Sequence, residues 1–331
     1  ALAAYDMNVA VVGATGETGQ SIINGLKESS TSFNITALVR TVDTPEIHQL
    51  NSRGIATVAV DLEGPYEDVV KSLSGQEVVI CAINPFCVSQ QITLANAASE
   101  AKVKRFVPSA FGPVCPPRGV MALRELKEEV ISHVKKIHLP YTVIDVGWWY
   151  QSSIPKLPSG KIDYAVTFGM SRIVEDGRQA TCITDLRDIG RYVALVIVDE
   201  RTINKYVFAY NELESQESIF RQLEAASGEK IPRIHTTNEE VLSAITTTRK
   251  PYDEGNKSFL KIIPLVLAQY PYSLWVRGDN VPEKAQYLGY LSSKQLYPEF
   301  NYVPFASYIQ EVYQGKGRAV YSNRRFGFTK P

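Results

Sequence analysis

The chain has 331 residues, and its 35 Lys and Arg balance its 35 Asp and Glu, leaving no net formal charge. With the basic residues dispersed, nothing points to nucleic acid or an anionic membrane as a partner, and neither is expected. The length is enough to bury a large core, as one large domain or as two smaller ones.

The organising stretch comes first. Val9, Ala10, Val11 and Val12 suit a buried strand, which runs into Gly13-Ala14-Thr15-Gly16-Glu17-Thr18-Gly19 and then into a helix-compatible run over residues 20–27. In a phosphate-binding turn between strand and helix, Gly13 allows the tight bend, Gly16 lets a pyrophosphate approach the backbone, and Gly19 lets the helix pack close to the strand. The start of the helix presents unpaired N–H groups to an anion. Thr15, Glu17 and Thr18 share this loop and join the glycines as candidate cofactor-binding residues.

Further along, residues 35–40 read as a second strand, and Thr44 with Pro45 as the cap and first residue of a short helix to Leu50. Strands over 55–60 and 77–83 flank a helix over 66–73. A helix over 89–101, a strand over 105–108, a Pro- and Gly-rich loop over 112–119, a helix to residue 137 and a strand over 141–146 follow. This alternation predicts an α/β fold with a Rossmann-type, doubly wound parallel sheet. The remainder is less regular. It is aromatic and broken by Pro155 and Pro158 over 147–169, with helices over 188–199, 215–226, 238–247 and 305–313 and a strand over 206–209. Aromatic residues and turn formers fill 264–300. The expected division is a nucleotide-binding domain over 1–150 and a smaller α+β substrate-binding region over 151–331, with interleaved chain contributions.

Cys81, Cys87, Cys115 and Cys182 show neither a metal spacing nor a disulfide framework, as in a reducing compartment. No apolar run is long enough to span a bilayer and residues 1–6 lack the pattern of a secretory leader. A cytoplasmic monomer or homodimer without a metal is expected, with residues 1–6 a loose end.

In this fold the end of the second strand meets the adenine ribose, where a carboxylate selects NAD and an Arg accommodates the extra phosphate of NADP. That position holds Arg40, whose guanidinium suits a phosphate. Thr41 adds a hydroxyl, and Asp61 ends the third strand near the expected adenine. NADPH is the expected cofactor.

The fourth and fifth strands deliver Ala82-Ile83-Asn84-Pro85-Phe86 and Ser109-Ala110-Phe111-Gly112 to the nicotinamide side. Ala82, Ile83, Asn84, Ser109 and Phe111 are candidate cofactor contacts, and Phe86 a candidate substrate contact. In the next helix stands Lys127. Short-chain reductases carry a Tyr four residues before an essential Lys, and Leu123 occupies that place here. The residues alone leave Lys127 either as a lone proton carrier or as an exposed helix lysine beside Glu128 and Glu129. Trp148, Trp149 and Tyr150 follow the sixth strand, either closing over a flat aromatic substrate or filling the core. The four histidines form no ligand pattern.

Residues 13–19, Val39-Arg40, Arg105-Phe106-Val107-Pro108-Ser109-Ala110-Phe111-Gly112, Leu139-Pro140-Tyr141-Thr142, Asp188-Ile189-Gly190 and residues 199–205 together resemble the isoflavone reductase-like branch of the NmrA-like atypical short-chain dehydrogenases/reductases. The resemblance continues into residues 275–279 and 296–298. It implies a Rossmann-type domain, NADPH as hydride donor, Arg40 on the 2′-phosphate and Lys127 as a lone catalytic lysine that also contacts the cofactor. Two departures stand out: Ala110 replaces the acid usual in the plant members, and no lysine occurs between Arg40 and Lys71. The resemblance implies an NADPH-dependent reductase of a small aromatic or conjugated metabolite. A non-catalytic NADP-sensing regulator and a non-redox isomerase or cyclase are the alternatives.

Overall fold

The computed structural model describes residues 6–41, 43–168, 170, 172–254 and 259–321, so most of the 1–6 end lies outside the described residues. The chain opens with β1 (Met7–Val12), α1 (Glu17–Glu28), β2 (Phe33–Val39), α2 (Pro45–Ser52), β3 (Ala56–Ala59), α3 (Tyr66–Ser72), β4 (Val78–Cys81), α4 (Val88–Glu100), β5 (Arg105–Val107), α5 (Ala122–Lys136) and β6 (Thr142–Asp145). Thr44 caps α2, its hydroxyl accepting from the Ile47 amide at 3.4 Å, with Pro45 as the first helical residue.

Strands β1 to β5 form a parallel sheet in the order β3-β2-β1-β4-β5. Its order reverses at β1, so a crevice opens beyond the carboxyl ends of β1 and β4. A parallel bridge from Phe106 to Tyr141 links this sheet to a second one of order β13-β10-β6, in which β10 (Lys205–Phe208) and β13 (Tyr290–Ser292) run parallel to their neighbours. Strands from the later part of the chain thus pair onto β6. The architecture is Rossmann-type α/β.

Burial follows strand alternation. Val9 and Val11 face Ile22 and Ile23 of α1 and Ile189 and Val193 of α6 (Leu186–Val196). Ala10 and Val12 face the opposite way, onto Leu94 and Ala98 of α4 and Val130 and Val134 of α5. Helices α1 and α6 approach closely because glycines meet there. A Cβ on Gly190 would lie 1.8 Å from the Ser21 carbonyl oxygen, and one on Gly25 would lie 2.0 Å from the Gly190 carbonyl carbon. The Ser21 hydroxyl fastens the pair, donating to the Leu186 carbonyl and accepting from the Gly190 amide.

The later region differs from the sequence reading in its details. Two small sheets appear, β7 (Trp148–Trp149) and β11 (Glu212–Ser215) flanking β9 (Ala180–Thr184), and β8 (Ile173–Val174) beside β12 (His235–Thr236). Strands β7, β8 and β12 have two residues each, too short to show a period, and β9 is buried over 181–184 without alternation. Helix α7 (Gln216–Ser227) ends at left-handed Gly228, and α8 (Asn238–Asp253), begun by a Thr237–Glu240 capping box, runs beyond the expected residue 247. The segment expected to be turn-filled contains α9 (Phe259–Pro271), a π-helical turn over Tyr272–Val276 and α10 (Pro282–Tyr287). Proline hides α9 from a sequence reading, since Pro264 normally interrupts a helix. Helices α11 (Ser293–Leu296) and α12 (Phe305–Tyr313) complete the fold. No helix among the described residues is long and apolar enough to cross a membrane.

Candidate active site

A cavity of ≈ 470 Å³ lies beyond the carboxyl ends of β1, β4, β5 and β6. One end is the glycine loop at Gly16, Glu17 and Thr18. Its floor is built from residues 82–86 and 109–113, and its far wall is the α9 face of Ile263, Val266, Leu267 and Tyr270.

The glycine loop has the shape its sequence requires. Gly13 sits at φ +85, where a Cβ would meet the Ala82 carbonyl oxygen at 2.7 Å, and a Cβ on Gly19 would meet the Gly13 carbonyl oxygen at 2.0 Å. Only glycine combines that backbone with that proximity. Gly16 precedes α1 with no side-chain cap, which leaves the first turn for an anion. These features fit the pyrophosphate of a dinucleotide. Because β1 and β2 are neighbouring parallel strands with Val12 opposite Leu38, Arg40 emerges beside this loop, exposed to solvent. Thr41 and Asp61 are also exposed at the ends of β2 and β3. Gly13, Thr15, Gly19, Arg40, Thr41 and Asp61 all lie outside the cavity lining.

The floor is held by side-chain bonds to backbone. Ser109 donates to the Ile83 carbonyl at 2.7 Å, and Asn84 accepts from the Phe86 amide at 3.0 Å. Phe111 adopts φ +40, an unusual conformation for a bulky residue, fixed by a bond from its amide to the Ile144 carbonyl at 2.9 Å. Ala82, Ile83, Asn84, Phe86, Ser109 and Phe111 all line the cavity.

Lys127 lies here, on α5. It is 8% exposed, which excludes the reading of an exposed helix lysine, and its amine donates to the Ala110 carbonyl at 2.6 Å. Gly112 keeps the amine accessible, since a Cβ there would come within 3.1 Å of Nζ. Burial, aided by the Arg124 guanidinium, lowers the Lys127 pKa to about 8 against the opposing pull of Asp145. Arg124 itself is buried and satisfied by Asp145 at 2.6 Å and Glu128 at 2.6 Å, and the Tyr290 hydroxyl also donates to Asp145 at 2.6 Å. Ala110, where the plant members carry an acid, packs against Ile131 and Val143. An apolar contact occupies that place, and Ala110 serves the lysine through its backbone oxygen.

The aromatic triplet divides. Trp148 and Trp149 line the cavity, and Trp149 is oriented by its indole N–H donating to the Phe111 carbonyl at 3.2 Å. Tyr150, expected to join them, belongs to the core. It is 0% exposed, packs edge-on against Phe305 at 4.8 Å and donates to the Val303 carbonyl at 3.1 Å. A short turn begins at Tyr150, and this rotates its side chain away from the face that Trp149 presents.

Several lining residues escaped the sequence reading: Leu123, Ser152, Val166, Thr167 and Phe168, the α9 wall and residues 319–321. The α9 wall carried a signal, because 263, 266, 267 and 270 are spaced as one helical stripe. Leu123 closes part of the site where a short-chain reductase would place its Tyr. Among the described residues no group of three His, Cys, Asp or Glu gathers as a metal site.

A model of the NmrA-like family matches residues 6–269. An asnovolin J 5′,6′-dehydrogenase of Aspergillus novofumigatus is 42% identical over 314 residues, covering 93% of this chain and 96% of that protein. A phenylcoumaran benzylic ether reductase of Betula pendula is 24% identical, covering 93% and 99%. Among solved structures, the complex of a Vitis vinifera leucoanthocyanidin reductase with NADPH superposes with a TM-score of 0.76 at 21% identity, covering 93% of this chain and 99% of that one. The chain belongs to the NmrA-like family.

Proposed function

We propose that the protein is an NADPH-dependent oxidoreductase that reduces a small aromatic or conjugated metabolite, with Lys127 transferring the proton. The observation that carries this reading is the placement of Lys127, a buried amine on the floor of an apolar cavity that reaches the phosphate-binding loop. When bound, NADPH supplies a hydride. The substrate gains that hydride and one proton, which leaves the Lys127 ammonium as the neutral amine to be reprotonated from solvent. In this reading the loop of Gly13, Thr15, Gly16, Glu17, Thr18 and Gly19 holds the pyrophosphate. Arg40 with Thr41 receives the 2′-phosphate, and Asp61 approaches the adenine. Ala82, Ile83, Asn84, Ser109 and Phe111 flank the nicotinamide, while Phe86, Trp148 and Trp149 exclude water and receive a flat substrate. In this reading the dinucleotide part falls within residues 1–150, and residues 151–331 complete the substrate wall with the α9 face and residues 319–321.

The reverse direction also has support. The relative at 42% identity is named a dehydrogenase, and a lysine with a pKa of about 8 is in part a free base near neutrality, ready to accept a proton from a substrate undergoing oxidation.

The test combines NADPH and NADH titrations with turnover on a panel of enones, ketones and quinone methides, run in both directions. The reading expects preference for NADPH and turnover that Lys127→Ala abolishes without loss of cofactor binding. A protein that binds no NADPH, or a Lys127→Ala variant as active as the parent, contradicts it.

A further inference from the structure

The last described segment, residues 317–321, lines the cavity through Ala319, Val320 and Tyr321, beyond the 6–269 stretch matched by the family model. It is anchored at four of its residues. The Gly317 amide donates to the Tyr164 hydroxyl at 3.1 Å, and Arg318 pairs with Glu17 of the glycine loop at 2.6 Å. The Val320 amide donates to Thr167 at 3.0 Å while its side chain, 2% exposed, enters the core that holds β1 and α1. Glu17 then accepts from the Tyr321 amide at 2.8 Å. Tyr321 adopts φ +60, a conformation uncommon for a bulky side chain, and its ring stacks on Trp149 at 6.0 Å between centroids and 26° between planes. Trp149 is itself tied to Phe111, so Tyr321 lies one ring away from the floor beside Lys127.

We propose that Tyr321 is a specificity-determining residue, a wall of the cavity that sets the width open to a flat substrate. This rests on the reading of the cavity as the substrate site. The ring cannot drift freely, because its backbone is bonded to Glu17 and the preceding Val320 is buried. An aromatic ring tilted only 26° from Trp149 extends that aromatic wall, which favours planar ligands by stacking and leaves less room for a thick alicyclic one. Glu17 gives the wall a fixed relation to the phosphate-binding loop.

The experiment uses prodan, a neutral planar aromatic ketone whose emission moves to the blue in apolar surroundings, and progesterone, a bulky rigid enone, as its competitor. Both are titrated into the full chain, with and without NADP, for the parent, Tyr321→Phe and Tyr321→Ala. The expected result is prodan binding at least fivefold weaker in Tyr321→Ala and unchanged in Tyr321→Phe, with progesterone competing better against prodan in the Ala variant than in the parent. NADPH affinity should stay within twofold in both variants. A parent that binds no prodan, or a Tyr321→Ala variant that binds both ligands as the parent does, overturns the proposal. Failure of NADPH to bind the parent would instead sink the cofactor reading, since the prodan titration without cofactor still reports on the wall.

Discussion

Gly190→Ala tests whether the contact between α1 and α6 sets the position of the phosphate-binding helix. The added Cβ would lie 1.8 Å from the Ser21 carbonyl oxygen and 2.3 Å from its carbon, whereas ordinary contact begins at 3.4 Å. The obstructing atoms are backbone, so no rotamer change relieves them and the helices must separate by more than an ångström. Overpacking of this kind costs roughly 1–3 kcal/mol, and a shift of backbone against backbone belongs at the upper end. At about 2–4 °C for each kcal/mol in a large domain, the melting temperature should fall by roughly 6–12 °C. The same displacement weakens the bonds from Ser21 to Leu186 and Gly190 and carries the amino end of α1 away from the Gly13 turn. NADPH affinity should therefore fall about tenfold, or ~1.4 kcal/mol. Calorimetry and a fluorescence titration on parent and variant give both numbers, with Lys27→Ala on the exposed face of the same helix as control. A variant that melts and binds like the parent would refute the claim that this contact positions the loop.

Arg40→Ala should weaken NADPH binding by roughly 10- to 150-fold, the loss of a charge-assisted contact of about 1.5–3 kcal/mol, with NADH affinity unchanged; equal losses for both cofactors would remove Arg40 from the 2′-phosphate. Tyr150→Phe removes the bond to the Val303 carbonyl from a fully buried ring and should cost about 1 kcal/mol of stability. Its kinetics should match the parent's, and a changed KM would return Tyr150 to the substrate pocket.

The first half of the fold was legible because its signals are local. Buried strands such as residues 9–12, the glycine spacing and the Thr44-Pro45 start each follow from a few adjacent residues. The division between Trp149 and Tyr150 was not, since it depends on a turn that begins at Tyr150 and on Phe305, far along the chain. Helix α9 was concealed by Pro264, which masked a regular apolar stripe. The burial of Lys127 could not be read from its charged neighbours Glu125, Glu128 and Glu129. It depends on the loop at Ala110 and Gly112 lying over the helix, with Arg124 and Glu128 drawn into a buried ion pair on its inner side. The wall at residues 317–321 depends on a return of the chain to Glu17, which no local pattern announces.

The central claim concerns the proton on Lys127, and the pH dependence of turnover tests it most directly. The Lys127 pKa is lowered to about 8 by burial, so the ammonium is present below that value and lost above it. Reduction, which consumes the proton, should slow as pH rises through about 8, and oxidation, which needs the free amine, should quicken over the same range. In Lys127→Ala the rate should drop by at least about a hundredfold, within the range for a lost general acid–base, and that limb of the profile should vanish. A Lys127→Ala variant that keeps both the parent's rate and its inflection near pH 8 would contradict the account.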